Sequence, residues 1–115
     1  MIHGVGIDVV DIDRFKQSLE RTPGLDLKLF TEAERIKSIQ SLAARFAAKE
    51  ALVKALNAKN GILWHEAEVV NLEGGKPAFI FYGDVADLVD GANVYLSISH
   101  DAGIATAIVI VEHSR

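Results

Sequence analysis

The chain has 115 residues, half of them hydrophobic and about a quarter charged, with no cysteine and a formal net charge of −4. That length suits one domain, residues 1–115, with a core modest for its surface, so an oligomer that hides more apolar area is expected. Disulfides and thiolate metal sites are excluded, a near-average composition argues against disorder, and an acidic balance with no basic run counts against a nucleic-acid binder.

"IHGVGIDVVDI" (residues 2–12), rich in Val and Ile with Gly4 and Gly6, predicts a strand that carries Asp8 inside it. Asp13 is expected to cap a short helix, "RFKQSLER", stopped by Thr22, Pro23 and Gly24. Arg14 and Arg21 stand seven apart and so share one helical face. Thr31 to Glu34, "TEAE", has the form of a capping box and opens a helical pattern that runs to about Asn57, with a break near Ser41. Gly61 in "AKNG" is the expected left-handed residue that ends it.

"HEAEVVNLE" and "KPAFIFYG" predict a hairpin turning at Gly74 and Gly75, and "DVADLVDGA" a short helix. "NVYLSISH" and "GIATAIVIVEH" predict two strands joined by a tight turn at Asp101 to Gly103. The expected fold is α+β, a single small domain with antiparallel strands packed around a long central helix. No apolar run approaches the ~20 residues that span a bilayer. The start, interrupted by Asp8 and without a basic region, does not read as a signal peptide. The cytoplasm is the expected setting, with no membrane or nucleic-acid partner.

Three stretches could carry chemistry. In "RFAAKEALVKAL" (residues 45–56), Glu50 and Lys54 lie about 40° apart on a helix, beside alanines that let a backbone or ligand approach. Taken alone, the spacing is that of an ordinary exposed ion pair. Asp8 in an apolar strand is costly if buried alone, so it must be edge-exposed, paired with a cation or bound to a metal. Glu50 is the candidate second carboxylate for a divalent ion completed by phosphates and waters. In "SISHD" (residues 97–101), His100 and Asp101 could orient one another and Ser99 could donate to an anion. A hydrolase triad is disfavoured there, because neighbours on a strand point to opposite faces and no Gly-x-Ser-x-Gly accompanies them. His3, His65 and His113 have no metal-ligand spacing, and Trp64 reads as a core or interface residue.

In order, "GIDVVDIDR", "RFAAKEALVKAL" and "SISHD", with "FTEAE" and "GKP" (Gly75, Lys76, Pro77) as secondary markers, resemble the signature of the 4′-phosphopantetheinyl transferases. The length and the N-terminal "GID" are similar to the holo-acyl-carrier-protein synthase branch, and the likeness covers Gly4 to about Val111. It departs at "NAKNGI" (residues 57–62), where the family often has a Gly-Thr-Gly loop, and in the short "RIKSIQSLAA", which leaves the path of the pantetheine arm and the choice of carrier open.

The resemblance implies transfer of the phosphopantetheine arm of coenzyme A to a serine of apo-acyl carrier protein for fatty acid biosynthesis, releasing adenosine 3′,5′-bisphosphate. It also implies Mg²⁺ dependence and a homotrimer with interfacial sites. Residue by residue, it makes Asp8 and Glu50 the metal ligands and Lys54 the lysine beside the pyrophosphate. Arg45, Lys49, Ser99, His100 and Gly75–Lys76–Pro77 surround the nucleotide and its phosphates, and Arg14, with Arg21 and Lys28 as a local basic patch, meets the acidic carrier. The rival readings are a transferase acting on the carrier domain of a large synthase, a non-catalytic coenzyme A binding module, and a plain trimeric interaction protein.

Overall fold

The computed structural model describes residues 1–113. In chain order it has β1 (Ile2–Asp11), α1 (Ile12–Arg21), α2 (Leu25–Leu29), α3 (Glu32–Arg35), α4 (Ile39–Leu56), β2 (Ala67–Asn71), β3 (Pro77–Phe81), α5 (Gly83–Leu88), β4 (Ala92–Asp101) and β5 (Ile104–His113). Single 3₁₀ turns, Trp64–Glu66 and Glu73–Gly75, precede β2 and β3. One antiparallel sheet has the order β1-β5-β4, and β2 and β3 form a separate hairpin. The expected α+β arrangement around a long central helix is the one observed. Among the described residues, no helix is long and apolar enough to cross a membrane.

The alanine content of α4 and the glycines of β1 explain each other. A Cβ placed on Gly6 would stand 1.8 Å from Ala51 O, and one on Gly4 would stand 1.9 Å from Ala55 O. Strand and helix therefore meet backbone to backbone, which only glycine on one side and alanine on the other permit. β5 closes the same core with Ala107, Val109 and Val111, all buried with the alanines of α4. Burying a side chain such as Val109 or Val111 stabilises the fold by roughly 1.5–3 kcal/mol. A second cluster, Phe15, Leu29, Phe30 and Leu42, fastens α1 and α2 to the first half of α4.

Local details differ from the sequence reading. The cap of α1 is Asp11, whose carboxylate accepts from Arg14 N at 3.0 Å. Asp13 falls in the first turn, where a negative charge suits the helix dipole. The capping box at Thr31 and Glu34 is present, but the chain breaks at Ile36–Ser38 and not at Ser41. Ser38 is the cap of α4, accepting from Ser41 N at 3.2 Å. The left-handed residue that ends α4 is Asn57 (φ 52°), with Ala58 N returning to Val53 O. Leu25–Leu29, for which the sequence reading predicts no element, forms a short helix.

Among the described residues, only the β2–β3 corner borders the outer face of the large sheet, beside Tyr95 and Ile108, and the β1 side of that face is left uncovered. Val5, Ile7 and Val9 of β1 are each more than half exposed, with Tyr95 and Ile108 beside them. Strand alternation places these residues on the side opposite α4.

Candidate active site

Asp8 lies on the inner face of β1, two residues beyond Gly6, so the close contact with α4 carries it to the helix where Glu50 and Lys54 stand. Lys54 Nζ donates to Asp8 Oδ1 at 3.1 Å and to Ile7 O at 2.9 Å. The ion pair that forms is thus helix to strand; the Glu50–Lys54 pair that the four-residue spacing allows is not the one made. Burial raises the pKa of Glu50, the Asp8 charge raises it further, and Lys54 opposes both. Two converging carboxylates are hard oxygen donors whose repulsion a divalent cation relieves, so the pair suits Mg²⁺. Among the described residues, no three His, Cys, Asp or Glu side chains cluster, so a metal held by this pair would need further ligands such as phosphate and water.

Asp8 and Glu50 open into a cleft of about 620 Å³ whose other wall is α1. Arg14 and Arg21 line the cleft together with Asp8, Glu50, Phe46 and the largely buried Phe15. The shared face read from the seven-residue spacing of the two arginines is thereby present, and it borders the carboxylates. Lys28 is exposed on α2 and is not among the residues that line this cleft.

A second cleft, of about 320 Å³, gathers Arg45, Gly75, Pro77 and His100, residues that are far apart in sequence. Arg45 is 5% exposed. It donates to Ser41 Oγ through Nη1 and to Asn71 Oδ1 through Nη2 (2.8 Å), and its buried Nε has no hydrogen-bond partner. Burial lowers its pKa while Glu34 and Glu68 raise it, so the guanidinium stays charged. Arg45 beside a histidine and the Gly75–Pro77 corner gives this cleft a positive wall that suits an anionic ligand.

The single chain places three of the residues expected around the nucleotide outside the lining of this cleft. Lys49 is fully buried, and its ammonium donates to Leu29 O (2.8 Å), Glu34 Oε1 (2.7 Å) and Trp64 O (3.1 Å). All three of its protons are committed, so it has none for a phosphate. Ser99 pairs with Thr106 on the outer face, while Ile98 and His100 face the Arg45 cleft. Lys76 borders a separate apolar cavity of about 340 Å³, with Leu72, Tyr95 and Ile108. Burial lowers the pKa of Lys49, but the hydrogen bond and charge of Glu34 oppose this.

Sequence reasoning missed Ser41 and Asn71, which hold Arg45, and Glu34 and Glu68, which lie buried beneath it. Glu34 is legible only as a capping residue, and nothing local marks its long-range pairing with Lys49. His65 bonds Leu27 O, and His3 packs edge-on against His113 with ring centroids 4.7 Å apart. Trp64 is half-buried against Phe46.

The model of the 4′-phosphopantetheinyl transferase superfamily matches residues 4–107. A holo-[acyl-carrier-protein] synthase of Leifsonia xyli is 55% identical over 115 residues, covering 97% of this chain and 98% of that protein. Among solved structures, the Chronobacterium ammoniagenes ACPS-CoA complex superposes with a TM-score of 0.85 at 31% identity, covering 97% of this chain and 98% of that one. A Bacillus anthracis holo-(acyl-carrier-protein) synthase in complex with CoA (3′,5′-ADP) gives 0.81 at 34% identity, covering 99% of each chain.

Proposed function

This chain belongs to the 4′-phosphopantetheinyl transferase superfamily, and we propose how it works as a member. It moves the 4′-phosphopantetheine group from coenzyme A to a serine of apo-acyl carrier protein and releases adenosine 3′,5′-bisphosphate. The observation that carries this reading is the one cleft in which Asp8 and Glu50 meet a basic helix face.

In the reaction the serine oxygen forms a bond to the pantetheine-side phosphorus as the pyrophosphate P–O bond breaks, and the serine proton must leave. Phosphoryl transfer asks a protein chiefly for positioning and charge neutralisation. Asp8 and Glu50 would hold Mg²⁺, which when bound offsets the charge of the pyrophosphate. Lys54 stands beside that pair and supplies positive charge to the departing oxygen. Glu50, made more basic by burial and by Asp8, receives the serine proton, directly or through a water. Arg45, His100, Gly75 and Pro77 take the nucleotide end of coenzyme A, and Arg14 and Arg21 take the acidic carrier protein.

The uncovered apolar face of the large sheet supports a homotrimer as part of the proposal. A contiguous patch around Ile7 and Ile108 is the kind of surface that soluble chains cover by association. Free carrier protein of fatty acid synthesis and a cytoplasmic setting complete the reading.

Intact-mass measurement tests it. Apo-acyl carrier protein incubated with coenzyme A, Mg²⁺ and this protein should gain about 340 Da, the size of a phosphopantetheinyl group. The gain should vanish without metal and with Glu50→Ala. Folded protein that binds coenzyme A but modifies neither a free carrier nor an excised synthase carrier domain would refute catalysis.

A further inference from the structure

The central helix carries one cation that the chemistry leaves unused. Lys49 is 0% exposed and its ammonium joins three segments: the end of α2 through Leu29 O, the turn before β2 through Trp64 O, and α3 through Glu34. Glu34 extends the chain of contacts. Its Oε1 accepts from Thr31 N and its Oε2 from Val69 N, both at 3.0 Å, which ties the middle of β2 to the buried pair.

β2 has only five residues, and its last, Asn71, is the residue that accepts from Arg45 Nη2. Asn71 Nδ2 also donates to Gly75 O at 3.0 Å, next to Lys76 and Pro77. Arg45 and Lys49 stand one turn apart on α4. Helix and strand are therefore fastened at two points, a dry one at Lys49–Glu34–Val69 and a cleft-side one at Arg45–Asn71. The two points lie one turn apart on α4 and two residues apart on β2, so the dry one fixes the short span that carries the other. Charge acts in the same direction. Glu34 and Glu68 both lie near Arg45, and Lys49 is the inner cation that answers Glu34, leaving the guanidinium to the cleft.

We infer that Lys49 and Glu34 are a positioning pair that sets where Arg45 and the Gly75–Pro77 corner stand, and so governs affinity for the nucleotide end of coenzyme A without entering the phosphoryl transfer. The inference rests on the Arg45 cleft being the nucleotide site.

The test replaces the pair in the full chain by a neutral one, Lys49→Met with Glu34→Gln, which avoids leaving one charge buried alone. Calorimetry with adenosine 3′,5′-bisphosphate should show binding about tenfold weaker, and KM for coenzyme A should rise by a similar factor with kcat little changed. Adding Arg45→Ala to the pair variant should then cost far less than it costs in the parent, because the arginine is already misplaced. A purely structural role would lower the melting temperature and leave both nucleotide affinity and the Arg45 effect intact, which would overturn the inference.

If the neutral pair does not fold, Glu34→Asp keeps the charges and shortens the arm, and the same measurements apply to it. Asn71→Ala, which cuts only the cleft-side link, should reproduce the loss of affinity; parent-like binding there also counts against the inference. Should Arg45→Ala itself bind the nucleotide as tightly as the parent, the reading of the cleft fails first.

Discussion

Lys54 of α4 donates to Asp8 of β1 at 3.1 Å, joining positions 46 apart in the chain. Its side chain is 53% exposed and that of Asp8 17%. A half-exposed pair of this kind contributes at most about 1 kcal/mol to folding. Lys54→Ala should therefore melt within a few degrees of the parent, yet lose transfer activity by about 100-fold or more, as expected when charge opposite a developing anion is removed. A differential scan beside a mass-based rate assay separates the two effects. An active Lys54→Ala protein would remove Lys54 from the mechanism.

Glu50 links activity to pH and to stability. Its folded pKa is raised, so between the ordinary carboxylate value and the raised one the folded state holds more protons than the unfolded state. Without metal, stability should fall as pH rises through that window. Glu50→Gln should remove this fall, raising the metal-free melting temperature at neutral pH while abolishing transfer. Metal affinity of the parent should strengthen as pH climbs through the same window, because the ligand must be ionised. Melting curves from pH 4 to 8, with and without Mg²⁺, check all three expectations.

Gly6→Ala should fail structurally. Its Cβ would meet Ala51 O at 1.8 Å, and the flanking backbones cannot both yield without separating β1 from α4. A loss of about 3 kcal/mol or more is expected, read from chemical denaturation. Partial survival should come with reduced activity, since Asp8 rides on the displaced strand.

Ile7→Glu tests assembly. Ile7 is 58% exposed in the single chain, so a charge there costs the isolated fold little. If three copies bury this face, the variant should elute as a monomer in size-exclusion chromatography with light scattering, keep its circular dichroism and lose activity. A parent protein that is itself monomeric and active would refute the trimer.

Arg14→Ala and Arg21→Ala address the carrier protein. Each removes a charge from the α1 wall of the active cleft without touching the core. KM for carrier should rise several-fold per substitution, with KM for coenzyme A unchanged. Added salt should weaken the parent more than the double variant, because screening removes the same attraction. Steady-state kinetics at two ionic strengths provides the comparison.

Local chemistry in the sequence was enough for the five strands, the long central helix, the capping box and the two hairpins, but not for the short helix Leu25–Leu29 or the break at Ile36–Ser38. An apolar strand with glycines and a carboxylate inside it, an alanine-rich helix and a Glu–Lys pair one turn apart are short-range patterns, and short-range sterics and periodicity act within a few residues. Ordered motifs extended that to the family.

Partners across the fold were decided only by the tertiary structure. Lys49 and Lys54 are both lysines of one helix, five positions apart, and nothing local distinguishes them. Packing sends Lys49 into the core beneath Glu34 and leaves Lys54 at the edge of β1 beside Asp8. Ser99 and His100 are adjacent in sequence, yet strand alternation puts them on opposite faces. Arg45, Asn71 and Gly75 become one cleft because β2 docks on α4. Burial, and with it which charge is spent on the fold and which is left for a ligand, depends on what lies opposite in space.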